Sequence, residues 1–139
     1  MKSEQEIPLY ITGSDVLVIT GYSTADWQLK DLAQVIDLSS ENKISSCDAL
    51  RYPLAVSHAA SGFLGHTTPT LIICGGVKTK YMTYGDKSCY KYIYDVDGKP
   101  QWESNPSISM LKARANHAIA TLPDGSLWIT GTAIILYNT

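Results

Sequence analysis

The chain has 139 residues, with 11 Lys plus Arg against 13 Asp plus Glu and a net charge of −2, which is enough for one domain with a real core. No run of like charge occurs, which excludes the basic stripe that a nucleic-acid or anionic-membrane surface needs. No segment approaches the ~20 apolar residues of a spanning helix, and a charged content of 17% suits a sheet-rich protein or a piece of something larger.

The first unit is expected over about residues 7–50. Ile7 to Thr12 reads as a strand, Gly13-Ser14-Asp15 as a turn, and Val16 to Thr20 as a buried strand. A polar loop follows. Gln34 to Leu38 is a third strand, Ser39 to Asn42 a turn, and Lys43 to Leu50 a fourth strand. Leu29 to Ile36 also fits two helical turns, and strand is preferred because the repeat requires it.

The second unit, about 51–110, is the clearest. His58 to Phe63 is a strand, Gly65 to Pro69 a loop, and Thr70 to Cys74 a buried strand closing on Gly75-Gly76. Ser88 to Val96 is a strand in which Tyr90, Tyr92 and Tyr94 share one face by period-two spacing. Asp97-Gly98 is a hairpin signal, and Gln101 to Glu103, around Trp102, starts the return strand. In the third unit, 111–139, Asn116 to Leu122 leads through the turn Pro123-Asp124-Gly125 to Ser126–Gly131, followed by the apolar stretch Ala133 to Tyr137.

An apolar run ending in glycine therefore occurs three times, as VLVITG, LIICGG and LWITG, with Gly21, Gly75 and Gly131 spaced about 55 residues apart. Units of up to four short strands at this period are what a β-propeller blade requires. Glycine suits the sharp turn after a buried strand because it accepts positive φ and close backbone approach. Nine Tyr and three Trp against one Phe add a modest β signal.

These residues resemble the kelch repeat of the galactose-oxidase-type propellers. The kelch pattern is an apolar strand, a Gly-Gly pair, a Tyr-Asp and a Trp a few residues on. The second unit holds LIIC, Gly75-Gly76, Tyr94-Asp95 and Trp102, and Arg114-Ala-Asn-His117 resembles the family's Arg and His ahead of the next strand. The first unit departs from the pattern: it has Gly21-Tyr22, Val35-Ile36-Asp37 and no matching Trp, and Ala55 stands in the place of Arg114 while His58 matches His117. The last unit has Gly131-Thr132. The resemblance implies an all-β fold, a partial kelch-type propeller of consecutive four-stranded antiparallel blades. Two and a half such units fall short of the about four to eight blades of a closed propeller. The chain is therefore expected to be a fragment of a larger propeller. The alternatives are a homo-oligomer that closes the ring and a small stand-alone β domain.

The chemistry-bearing residues read mostly as structural. His58 and His117 repeat, whereas a catalytic group is needed once. Arg114 is expected to bond backbone carbonyls or a carboxylate between units. The tyrosine stripe with Trp102 is expected to pack between units, or else to serve as a protein-binding face. No metal, cofactor, nucleophile-elbow or phosphate-loop pattern is present. Of Cys47, Cys74 and Cys89, the last two lie on adjacent strands and are candidates for a bridge, with three free thiols as the other reading. MKSEQEIPLYITG has no apolar signal-peptide core, which points to the cytoplasm; a Cys74–Cys89 bridge with an incomplete N-terminus would point outside the cell. The function expected is a non-catalytic interaction scaffold with a protein partner. The alternatives are part of a galactose-oxidase-like or sugar-epimerase-like enzyme, or a self-assembling structural β protein.

Overall fold

The structure is a computed structural model that describes residues 15–19, 22–23, 26, 28–37, 45–48, 50–78, 85–104 and 106–133. The expected strand Ile7–Thr12, Gly21, and the stretch after Ala133 lie outside the described residues. All sheets are antiparallel, and the one helical element among the described residues is a short 3₁₀ turn at Pro106–Ile108.

The first sheet joins β1 (Asp15–Ile19), β4 (Ala33–Asp37) and β5 (Ser45–Asp48) in the order β1-β4-β5. The segment with the helical alternative is thus a strand from Ala33 on, paired Ile19↔Ala33 through Asp15↔Asp37. Between β1 and β4 the expected polar loop carries a small hairpin, β2 (Tyr22–Ser23) with β3 (Gln28–Leu29). Its strands have two residues each, too short for a periodic signal.

The second sheet is a four-stranded meander: β6 (Ala60–Leu64), β7 (Thr70–Cys74), β8 (Cys89–Tyr94) and β9 (Pro100–Glu103), in chain order. The strand expected from His58 begins two residues later, because His58 has φ 59° and leaves the extended region. Pro100 sits at the start of an edge strand, where a missing N–H costs the ladder nothing. The third unit is the hairpin β10 (Arg114–Thr121) with β11 (Leu127–Ala133). Gly131 lies within β11 instead of ending it, opposite a register shift between Arg114 and His117.

Strand β7 is covered on both faces towards its Gly75 end, and this explains its unbroken apolar run. On one face Ile72, Cys74 and Cys89 pack with Met110 against Ile119, Leu127 and Ile129 of the third unit. The approach is close enough that a Cβ on Gly62 would stand 2.6 Å from Ile119 Cγ2. On the other face Ile73 packs with Tyr52 and Val56 from the segment that precedes β6. A strand buried on both sides has no polar face to alternate with.

Candidate functional site

Two features stand where the sequence placed its candidate residues, a double-glycine turn and an aromatic face, and a third, a turn-lined end of the sheets, is seen only in the structure.

The turn follows β7. Gly75 has φ 73° and Gly76 φ 99°. The Gly75 N–H donates to the Ser88 carbonyl at 3.0 Å, and the Gly76 N–H to the Arg114 carbonyl at 2.8 Å. Asp86 closes the knot. Its N–H donates to the Gly76 carbonyl and its own carbonyl accepts from the Arg114 N–H. Its Oδ1 accepts from the Lys87 and Ser88 N–H groups and the Ser88 hydroxyl, with Lys78 Nζ at 3.4 Å. Sequence reasoning missed Asp86, although Asp followed two residues on by Ser is an Asx-turn signal. The Arg114 guanidinium donates to the Gly131 carbonyl at 2.7 Å, which ties the two strands of the third unit across their register shift.

His117 is buried beneath the turn. A Cβ on Gly75 would lie 2.7 Å from its Cε1, and one on Gly131 2.8 Å from its Cα. Neither ring nitrogen has a hydrogen-bond partner among the described residues. Burial first, and then the charge of Arg114, hold its pKa below the ordinary histidine value; a carbonyl approach from Cys74, outside hydrogen-bond geometry, offsets this only in part. The sign follows. The unfolded chain takes a proton near pH 6.5, whereas the folded chain resists it to lower pH, so stability falls as pH drops below about 6.5 toward the lowered native value. Urea midpoints between pH 7.5 and 5 are expected to show a loss of at most about 1.4 kcal/mol per pH unit, and His117→Gln to flatten that slope. An unchanged slope in the variant would assign the pH dependence elsewhere.

His58 and His117 do not occupy equivalent places. Ala60 pairs with Cys74, one residue before Gly75, and Ala118 pairs with Thr130, one before Gly131. By this register His58 corresponds to Asn116, and both take the left-handed conformation, at φ 59° and 52°. The residue matching His117 is Ala59. The one-residue displacement is invisible to alignment on histidine.

The aromatic face holds Tyr90, Tyr92, Tyr94 and Trp102 with Tyr52 across them. Ring centroids lie 5.4 Å apart for Tyr52–Tyr90, 5.1 Å for Tyr52–Trp102, 5.0 Å for Tyr92–Trp102 and 5.7 Å for Tyr92–Tyr94, all edge to face. That geometry favours aromatic pairs. Trp102 Nε1 donates to the Leu50 carbonyl at 3.2 Å. Burial pushes the Tyr92 hydroxyl up to about 12 and raises that of Tyr52 further, so both stay protonated at any ordinary pH. Asp95 faces its own turn: Oδ1 accepts from the Asp97 and Lys99 N–H groups at 2.9 and 2.8 Å. Cys74 and Cys89, directly opposed across β7 and β8, are joined as a disulfide with Cα atoms 4.1 Å apart.

The bridge forms part of the wall of an open cleft of about 340 Å³ between the second sheet and the third unit. The other walls are Leu64, Ile72, Ile108, Met110, Leu127 and Ile129, with Ser107, Ser109 and Ser126 among the lining residues. No lining side chain is titratable, so the cleft suits an apolar group and offers no acid or base. Among the described residues no group of three or more His, Cys, Asp or Glu could hold a metal ion, and no helix is long and apolar enough to cross a membrane.

Three turns gather at one end of the sheets. A meander puts the β6–β7 and β8–β9 connections on the same side, and the Gly65 N–H donates to the Gly125 carbonyl at 2.8 Å, which brings in the β10–β11 turn. Thr67, Thr68, Val96, Asp97, Pro123 and Asp124 are exposed there. No protein-family model and no curated protein matches the chain, so its function is read from the geometry of these three features.

Proposed function

We propose that the chain is a run of kelch-type β-propeller units acting as a non-catalytic protein-interaction scaffold. The observation that carries this reading is the shared end of the sheets. Turns from three separate stretches, 65–69, 95–99 and 122–126, converge there on a rigid base, and loops held by a rigid scaffold are where binding residues concentrate. Two further observations support the propeller part. The β6–β7 and β10–β11 hairpins repeat one register around a left-handed residue and stack face on face. The Gly75-Gly76, Tyr94-Asp95 and Trp102 positions hold turn, hairpin and aromatic packing as a repeated blade would need. The apolar cleft, without titratable walls, favours binding over turnover. The buried disulfide belongs to an oxidising compartment, which is where the partner would be met.

The test is a partner identified by proximity labelling, purified, and titrated against the wild type and a Thr67→Glu/Val96→Asp variant. Both positions are exposed. The variant is expected to lose at least about tenfold in affinity with an unchanged melting temperature. Equal affinity in wild type and variant would overturn the assignment of the binding surface to this end.

A further inference from the structure

Strand β11 pairs with β10 along one edge. The Leu122 N–H donates to the Ser126 carbonyl, so by the alternation of an antiparallel ladder Trp128 and Thr130 bond to Ala120 and Ala118. The N–H and C=O groups of Leu127 and Ile129 then point away from β10. Among the described residues no strand pairs with that side. The equivalent edge of β7 is taken. The pair Gly62↔Ile72 matches Ala120↔Trp128, so Ile73 stands for Ile129, and Ile73 pairs with Tyr90 of β8. The edges of the second sheet are guarded. On β6 the Thr121 hydroxyl accepts from the Phe63 N–H at 3.1 Å and donates to the Phe63 carbonyl at 2.7 Å, and β9 starts with Pro100 and carries Glu103. β11 holds neither a proline nor a charge, and such an edge is a template for a further strand.

The apolar cleft lies alongside this edge. Leu127 and Ile129 line it from β11, and Ile72, Cys74 and Cys89 line it from β7 and β8. Since β10 lies against β6 and Leu127 and Ile129 pack on Ile72 and Cys74, a strand added beside β11 would lie over β8. Every second side chain of that strand would enter the cleft of about 340 Å³, whose walls hold no titratable group. β8 itself shows the geometry such a strand takes: it meets the equivalent edge of β7 antiparallel and turns Cys89 to the same apolar side. We propose that the β11 edge and the cleft together bind an extended segment of a partner protein, added antiparallel to β11 and carrying aliphatic residues at alternate positions. Main-chain hydrogen bonds to Leu127 and Ile129 supply affinity, and the cleft selects the alternate side chains. A charge on the inward side would be desolvated without a partner, so the segment is uncharged there.

The probe is a capped peptide of alternating valine and threonine with a lysine at each end, titrated against the purified, oxidised chain. The wild type is expected to bind it, and to bind a peptide N-methylated along its bonding edge at least about tenfold more weakly, as the loss of two hydrogen bonds implies. At saturation the amide protons of Leu127 and Ile129 are expected to exchange at least about tenfold more slowly. Those of Trp128 and Thr130, already bonded to β10, gain less. Ser109→Glu sets a carboxylate at the cleft without removing a packed apolar side chain. It is expected to weaken the peptide at least about tenfold with an unchanged melting temperature. No binding at millimolar peptide, equal binding of the N-methylated peptide, unaltered exchange at Leu127 and Ile129, or equal affinity in Ser109→Glu would overturn the inference. So would protection of those two amides in the free monomer, which would show the edge filled within the chain. Protection that grows with chain concentration would overturn it too, by making a second copy the occupant. The turn-tip variants leave this edge untouched, so the scaffold reading and this one fail separately.

Discussion

Gly75→Ala is expected to destabilise the fold by about 2–5 kcal/mol, from two costs that add. The first is conformational. Gly75 has φ 73°, and a residue with a Cβ pays about 1–2 kcal/mol in the left-handed region. The second is steric. The new methyl would stand 2.5 Å from the Arg114 carbonyl oxygen, 2.7 Å from His117 Cε1 and 2.8 Å from Met110 Cε. The first of these is backbone and cannot swing aside, and overpacking of this kind costs about 1–3 kcal/mol. The contact lies where the second sheet meets the third unit, so the damage is to inter-unit packing. Gly98→Ala separates the two costs. Gly98 has φ 77°, but nothing lies within 4 Å of where its methyl would stand, so about 1–2 kcal/mol is expected there from conformation alone. Urea unfolding of both variants checks this. Equal losses would mean that the close approach at Gly75 carries no weight.

Removal of the Cys74–Cys89 bridge is expected to cost about 3 kcal/mol. The cross-link spans 15 residues, and the chain-entropy model assigns about that much to a loop of this length. The two strands it joins share only three registered pairs, Ile72↔Lys91, Ile73↔Tyr90 and Cys74↔Cys89, so little other pairing holds β7 to β8. Both cysteines are almost fully buried, at 0% and 1% exposure, which shields the bridge from exchange in the folded chain. A Cys74→Ala/Cys89→Ala variant compared with the oxidised wild type in urea gives the cost. Thiol titration of the unreduced, denatured chain is expected to find one free thiol, that of Cys47. Three free thiols, or a loss well under about 1 kcal/mol, would show that the bridge is not a structural staple.

Much of the candidate site is legible in the amino-acid sequence, and the legible parts have a common property. Thr70–Cys74 is a strand residue for residue as expected, because a five-residue apolar run between turn signals admits little else. The Asp97-Gly98 turn is readable from its residue types, and the structure explains it through the Asp95 carboxylate and backbone within four residues. The shared face of Tyr90, Tyr92 and Tyr94 follows from the two-residue period of a strand. Each is decided by φ, ψ and side-chain alternation over a few positions.

Other features escape sequence reasoning because they depend on residues far apart in the chain. Tyr52 sits in an unremarkable linker sequence, yet it is among the most buried side chains, because the aromatic face of β8 and β9 needs a cover and the linker supplies it. The correspondence of His58 with Asn116 is set by the pairing of Ala60 with Cys74 and of Ala118 with Thr130, which counting along the chain cannot see. Repetition alone suggests a structural role for His117, whereas its burial beneath Gly75 comes from the stacking of two units. Strands, turns and the all-β class are thus written in the chain itself, since they follow from short-range sterics and hydrophobic period. Which cysteines meet, which tyrosine is buried and where a cleft opens beside the third unit emerge only on folding, since these depend on register and stacking between segments many residues apart.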